Sequence, residues 1–146
     1  MGYRGFTYTI APIHLSKTAK AEPYCFDTSC LASIIDRQFL MAQDPTVEIR
    51  LMASPLKISG IVGNQHTSSK YVITTLRIPG KDKDGPVEAI ITRELHIVDN
   101  LDAKILIGTD VILPEKMDIL LLDKTLRIGT YNVDVLVQLR VRAGYQ

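Results

Sequence analysis

An aspartate followed by two hydroxyl residues, Asp27-Thr28-Ser29, leaves the short apolar run Tyr24-Cys25-Phe26. A carboxylate placed where an apolar strand ends has two readings. In the first it is an Asx-type turn, in which Asp27 accepts backbone N–H groups and Thr28 and Ser29 are ordinary turn residues. In the second it does acid–base work. A comparable feature lies far downstream, where Ile105-Leu106-Ile107 runs into Gly108-Thr109-Asp110.

The other residues able to carry chemistry do not assemble into a pattern. His14, His66 and His96 lie on separate segments without metal-ligand spacing, so no metal site is expected. Cys25 and Cys30 bracket the aspartate with no base in view, and they read as small buried apolar residues. Ser29 as a nucleophile would need a His/Asp pair and an oxyanion loop, neither of which is identifiable. The turn at Gly60, Ile61, Val62, Gly63 and Asn64 lacks the following Gly-Lys-Ser/Thr of a phosphate cradle.

The elements that must position Asp27 read as strands. β-Branched and aromatic residues recur in short runs divided by Pro, Gly, Asn and Asp, which gives an all-β class. Runs are expected over 6–15, with Pro12 at an edge or bulge, over 24–26, and over 31–41 as a strand followed by a helical turn in which Asp36 and Arg37 break the apolar run. Further strands are expected over 47–52 and 56–61, joined through the Gly60–Asn64 turn to the next run as a hairpin with a mobile tip. Residues 71–78 and 87–98 form a second hairpin joined by a charged loop over 79–86. A strand over 104–107 precedes the one short helix, over 110–117 and limited by Pro114. Strands over 119–122, 125–128 and 133–141 complete the pattern, with Asp123-Lys124 as a two-residue turn.

Length and charge bound the rest. The chain has 146 residues, enough for one domain with its own core, and a single domain over 1–146 is the expectation. Seventeen basic and sixteen acidic residues give a formal net charge of +1, with no basic block for nucleic acid or anionic lipid. No apolar run is long enough to span a bilayer, and no signal-type segment opens the chain. With two cysteines, a reducing intracellular compartment, the cytoplasm, is expected.

The motif order resembles that of retropepsins, the aspartic proteases of retroviruses and LTR retroelements. They have an apolar strand into Asp-Thr/Ser-Gly, a Gly-rich flap hairpin, and a second apolar strand into Gly-Arg-Asp/Asn. The stretches beginning at Cys30, at Ile58 and at Leu95 resemble more closely the gypsy-class protease-like domains of fungal genomes, and the resemblance spans nearly the whole chain. It implies a closed acid-protease barrel with one short helix, acting as a two-fold homodimer. It further implies that Asp27 is the catalytic aspartate and that Thr28 is the hydroxyl that bonds across the dimer axis. Gly60, Ile61, Val62, Gly63 and Asn64 are then the flap tip over the substrate. Gly108 lets the second strand pack beneath the active-site loop, and Asp110 is the structural polar residue opening the helix, where an acid is favoured. The terminal strand over 133–141 is either a dimer-interface strand or an ordinary edge or core strand.

The resemblance implies an aspartic endopeptidase without cofactor, cleaving a peptide or polyprotein. Such chemistry needs two carboxylates sharing a proton, because like charges held so close cannot both ionise. One motif per chain then requires a second copy. The departure is Ser29, where the family has glycine. A side chain there implies strain of about 1–3 kcal/mol if the backbone is unusual, and a hydroxyl donating to Asp27 would favour its ionised form and hinder a mechanism that requires one shared proton. A catalytically silent dimerisation or peptide-binding domain is therefore the alternative.

Overall fold

The computed structural model describes residues 3–16, 20–61 and 64–145. The first strands are β1 (Tyr3–Ile13), β2 (Glu22–Phe26) and β3 (Ile34–Asp36), followed by helix α1 (Arg37–Gln43). The long strands β4 (Arg50–Ile61), β5 (Asn64–Asp82) and β6 (Gly85–Val98) come next, then β7 (Ile105–Ile107) and helix α2 (Thr109–Ile112). The chain continues with β8 (Met117–Leu120), β9 (Thr125–Ile128), β10 (Val133–Leu136) and β11 (Gln138–Tyr145).

These strands form one sheet in the order β11-β1-β2-β7-β3-β6-β5-β10-β9-β8, with β4 added to β5. A bridge between His14 and Arg77 brings the end of β1 onto β5, distant in that order, so the sheet curls on itself. It ends at β11 and β8 without joining them, and the architecture is a curled half-barrel rather than the closed barrel expected.

Burial explains the curl. β2 buries Tyr24, Cys25 and Phe26 in succession, and β7 buries all three of its residues. These are runs covered on both faces, as parallel neighbours require, and the two strands are parallel, Cys25 opposite Leu106 and Phe26 opposite Ile107. β7 also pairs antiparallel with β3, which places it centrally. Ile105 and Ile107 have no exposed surface, each contributing about 1.5–3 kcal/mol relative to exposure. β6 alternates buried and exposed residues until Leu95, beyond which both faces become covered. The second face closes through a smaller cluster, Cys30, Ile34, Ile58, Val98, Leu101 and Leu106. Ile58 of the β4–β5 hairpin thereby rests on the segment that follows Asp27.

Several expected boundaries move, each for a physical reason. Among the described residues two helices form instead of one. α1 starts because the Asp36 carboxylate accepts the backbone N–H of Phe39 at 3.0 Å, so the residue expected to break the run is an N-cap. α2 is four residues, Thr109–Ile112, shorter than the expected 110–117. The charged segment 79–86 is ladder rather than loop, since pairing continues to Asp82 opposite Gly85. Its turn is Lys83-Asp84, helped by a φ of 120° at Gly85. The runs 47–52 and 56–61 merge into β4, with register shifts between Leu51 and Leu56 and between Ile58 and Ile61. Leu120 pairs with Thr125, so the turn is longer than Asp123-Lys124. The terminal run divides at Val137 into β10 and β11, and β11 pairs with β1. Pro12 lies opposite Pro23, past the last β1–β11 pair at Ile10, so β11 loses no donor to it.

Candidate functional site

Asp27 is carried out of the sheet by β2. Its backbone N–H donates to the carbonyl of Ile107 at 2.8 Å, extending the β2–β7 ladder by one bond. The Asp27 carbonyl accepts from Cys30 N–H at 3.3 Å, closing a tight turn, and the Cys30 carbonyl then accepts from Thr109 N–H at 2.8 Å. The aspartate loop and the start of α2 are thus tied together by backbone, which gives the carboxylate a rigid base.

Inside the turn, two donors meet one oxygen. The Ser29 backbone N–H lies 2.9 Å from Asp27 Oδ1 and the Ser29 hydroxyl 2.6 Å from the same atom. The first is the Asx-turn bond, and the second has the length of a charge-assisted O–H···O⁻ bond. Asp27 is half-buried, while Thr28 and Ser29 are exposed. The turn reading and the catalytic reading therefore share this geometry. The strain expected at Ser29 is absent: non-glycine residues with positive φ are Asn100, Lys104, Lys116, Lys124 and Asn132. Serine enters the motif without a forced backbone, and what it adds is a hydroxyl.

Gly108 stands where space decides the residue. A Cβ there would lie 2.5 Å from the Cys30 carbonyl oxygen and 3.0 Å from that of Ala32, both rigid backbone atoms. Its φ of −103° is open to any residue, so close approach alone selects glycine. Asp110 sits in the first turn of α2, but Gly108 is the N-cap position, without a side-chain cap. The Asp110 carboxylate instead reaches back to Ser33, accepting the hydroxyl at 2.6 Å on Oδ1 and the backbone N–H at 3.0 Å on Oδ2. Ser33 Oγ in turn accepts the N–H of Gly108 at 2.9 Å. Ser33 is fully buried and is not recognisable in the sequence, because a lone serine in an apolar run carries no local sign of so distant a partner.

The proposed flap residues are placed in part. Gly60 and Ile61 end β4, Asn64 begins β5, and Ile61 pairs with Asn64. Val62 and Gly63 lie outside the described residues. The hairpin base meets the aspartate loop through Ile58 and Leu56, packed with Cys30 and Leu106.

Both thiols are free and buried. Burial, then the charge of Asp27 and the neighbouring Cys30, push the Cys25 thiol up to about 12, and burial likewise raises Cys30, so thiolate chemistry is suppressed at neutral pH. Among the described residues no three His, Cys, Asp or Glu side chains converge to hold a metal, and no helix is long and apolar enough to cross a membrane.

No protein-family model matches the chain, and no curated protein matches it in sequence. Among solved structures it is similar to the retroviral protease-like domain of Ddi1 from Leishmania major, with a TM-score of 0.64 and 14% identity, over 91% of this chain and 95% of that one. At that identity the likeness establishes the fold, which is retropepsin-like.

Proposed function

We propose that the chain is one half of a homodimeric aspartic endopeptidase whose two Asp27 carboxylates face each other across a two-fold axis. The observation that carries this reading is the placement of Asp27. It is a half-buried carboxylate at the end of a doubly covered strand, on a residue whose backbone N–H donates to the Ile107 carbonyl next to the close-approach glycine Gly108, in a retropepsin-like fold.

In this reading one carboxylate takes a proton from water as the water oxygen bonds to the scissile carbonyl carbon, while the protonated partner donates to the carbonyl oxygen. Collapse of the tetrahedral intermediate breaks the C–N bond: the leaving nitrogen takes up the proton held by the first carboxylate, and one hydroxyl of the intermediate returns its proton to the partner carboxylate as the new C=O forms, which restores the dyad. Water and two acids suffice, so no cofactor is invoked. The substrate is an extended peptide under the β4–β5 hairpin, with alternate side chains entering pockets. Polyprotein processing in a gypsy-class retroelement is the setting the motif order supports. The test is cleavage of an unfolded protein by the purified chain between mildly acid and neutral pH. Asp27→Asn is expected to abolish turnover, and an unchanged rate in that variant would refute the assignment.

The second Ser29 donor on Asp27 Oδ1 favours one other reading, a dimerisation or peptide-binding domain without turnover. In that case Asp27→Asn leaves peptide binding intact and no variant cleaves.

A further inference from the structure

We infer that Ser29 is a positioning residue that restrains the site through its hydroxyl, and not through its backbone or its Cβ. The inference rests on the proposed role of Asp27. Three observations separate the hydroxyl from the other consequences of replacing glycine. The Ser29 backbone is outside the positive-φ region, so no strain is released by removing the side chain. Ser29 is exposed, in contrast to Gly108, where a Cβ would strike carbonyl oxygens. Its hydroxyl lies 2.6 Å from Asp27 Oδ1, an oxygen that already accepts the Ser29 N–H at 2.9 Å.

A carboxylate oxygen accepts well from about two donors in its plane. With both supplied from within its own chain, Oδ1 has little acceptor capacity left for water or for a proton shared with a partner carboxylate. Rotation of the carboxylate toward such a partner would also have to break a short charge-assisted bond. Hydrogen bonds to charged groups are the stronger class, so the restraint is expected to cost about tenfold or more in rate. It acts on the reacting carboxylate and leaves the peptide-binding surface alone, which assigns the effect to kcat.

The test compares the wild-type chain with Ser29→Ala, Ser29→Gly, Ser29→Thr and Asp27→Asn. Cleavage of a peptide substrate is measured together with binding of a peptide that carries a tetrahedral hydroxyl in place of the scissile carbonyl. Thermal unfolding of each variant establishes that it is folded. The expected result is that Ser29→Ala and Ser29→Gly both raise kcat about tenfold or more with KM unchanged. Both also bind the hydroxyl-bearing peptide at least tenfold more tightly, and Ser29→Thr, which keeps the hydroxyl, shows neither gain. A gain in Ser29→Gly alone overturns the inference in favour of the Cβ while leaving the endopeptidase reading standing. If no variant cleaves, and binding of the hydroxyl-bearing peptide is indifferent to Asp27→Asn, both the inference and the endopeptidase reading fail.

Discussion

The hydroxyl of Ser33 and the carboxylate of Asp110, 77 residues apart in the chain, lie 2.6 Å from each other and close the aspartate loop onto the start of α2. Because Ser33 Oγ also accepts the Gly108 N–H, a single buried oxygen joins two segments, bonding twice to the β7–α2 junction. Ser33→Ala would leave that N–H without its acceptor and remove the hydroxyl donor to Asp110. Buried groups left unpaired cost about 1–3 kcal/mol, and a loss in that range is expected by urea unfolding. Asp110→Asn keeps one acceptor oxygen and should lose less. Equal stability of wild type and Ser33→Ala would show that the network contributes nothing.

Gly108→Ala tests close approach. The added Cβ would sit 2.5 Å from the Cys30 carbonyl oxygen, the atom that accepts the Thr109 N–H. Relief requires the two segments to part and stretches that bond. Overpacking against rigid groups costs about 1–3 kcal/mol, occasionally more. The loss is expected in the unfolding midpoint, accompanied by faster amide exchange at Thr109. A variant with unchanged midpoint and exchange would count against the packing account.

These residues also mark how far the chain can be read without its structure. Gly108 and Asp27 are legible because each follows a run of apolar residues within a few positions, and strand burial leaves a local pattern. Ser33 is not, because its role depends on a partner brought near only by the fold. Asp36 shows the same limit in milder form: an acid interrupting an apolar run reads as a break, whereas its carboxylate starts α1. The segment 79–86 reads as a loop because the exposed end of a two-stranded ribbon has the same polar, Pro/Gly-rich composition. The closed barrel is an expectation of the resemblance alone. Nothing in periodicity distinguishes it from a sheet whose edges, β8 and β11, do not meet.

Asp36 should make stability fall in acid. Burial alone would raise its carboxyl. N–H donors from Leu101 and Phe39, the charge of Lys104 and the N–H of Gln38 outweigh burial and hold it below the usual carboxylate range. A lowered value in the folded state means the ionised form is favoured by folding. That contribution is fully present above the unfolded value of about 4 and is lost as pH falls through the lower folded value. Unfolding free energy measured from pH 7 downward should begin to decline near pH 4 and continue below it. Asp36→Asn should be less stable at neutral pH by about 1–3 kcal/mol and should show a shallower acid slope. An identical slope in the two proteins would remove Asp36 from the account.

The proposed pairing of two Asp27 carboxylates makes a prediction about mixtures. When wild-type chain is co-refolded with Asp27→Asn, pairs form at random if the substitution does not alter the interface. Asp27 is half-buried and Asn has nearly its shape, so assembly should be retained. A mixed pair holds a single carboxylate, which cannot both accept a proton from water and return one to the carbonyl oxygen. Activity then follows the square of the wild-type fraction, so equal mixing should leave about a quarter of the rate given by the same total amount of wild-type chain. If each chain carried a complete site, about half would remain. Titrating the fraction of Asp27→Asn at constant total concentration distinguishes a quadratic from a linear decline, and a linear decline would place the second acid within the same chain.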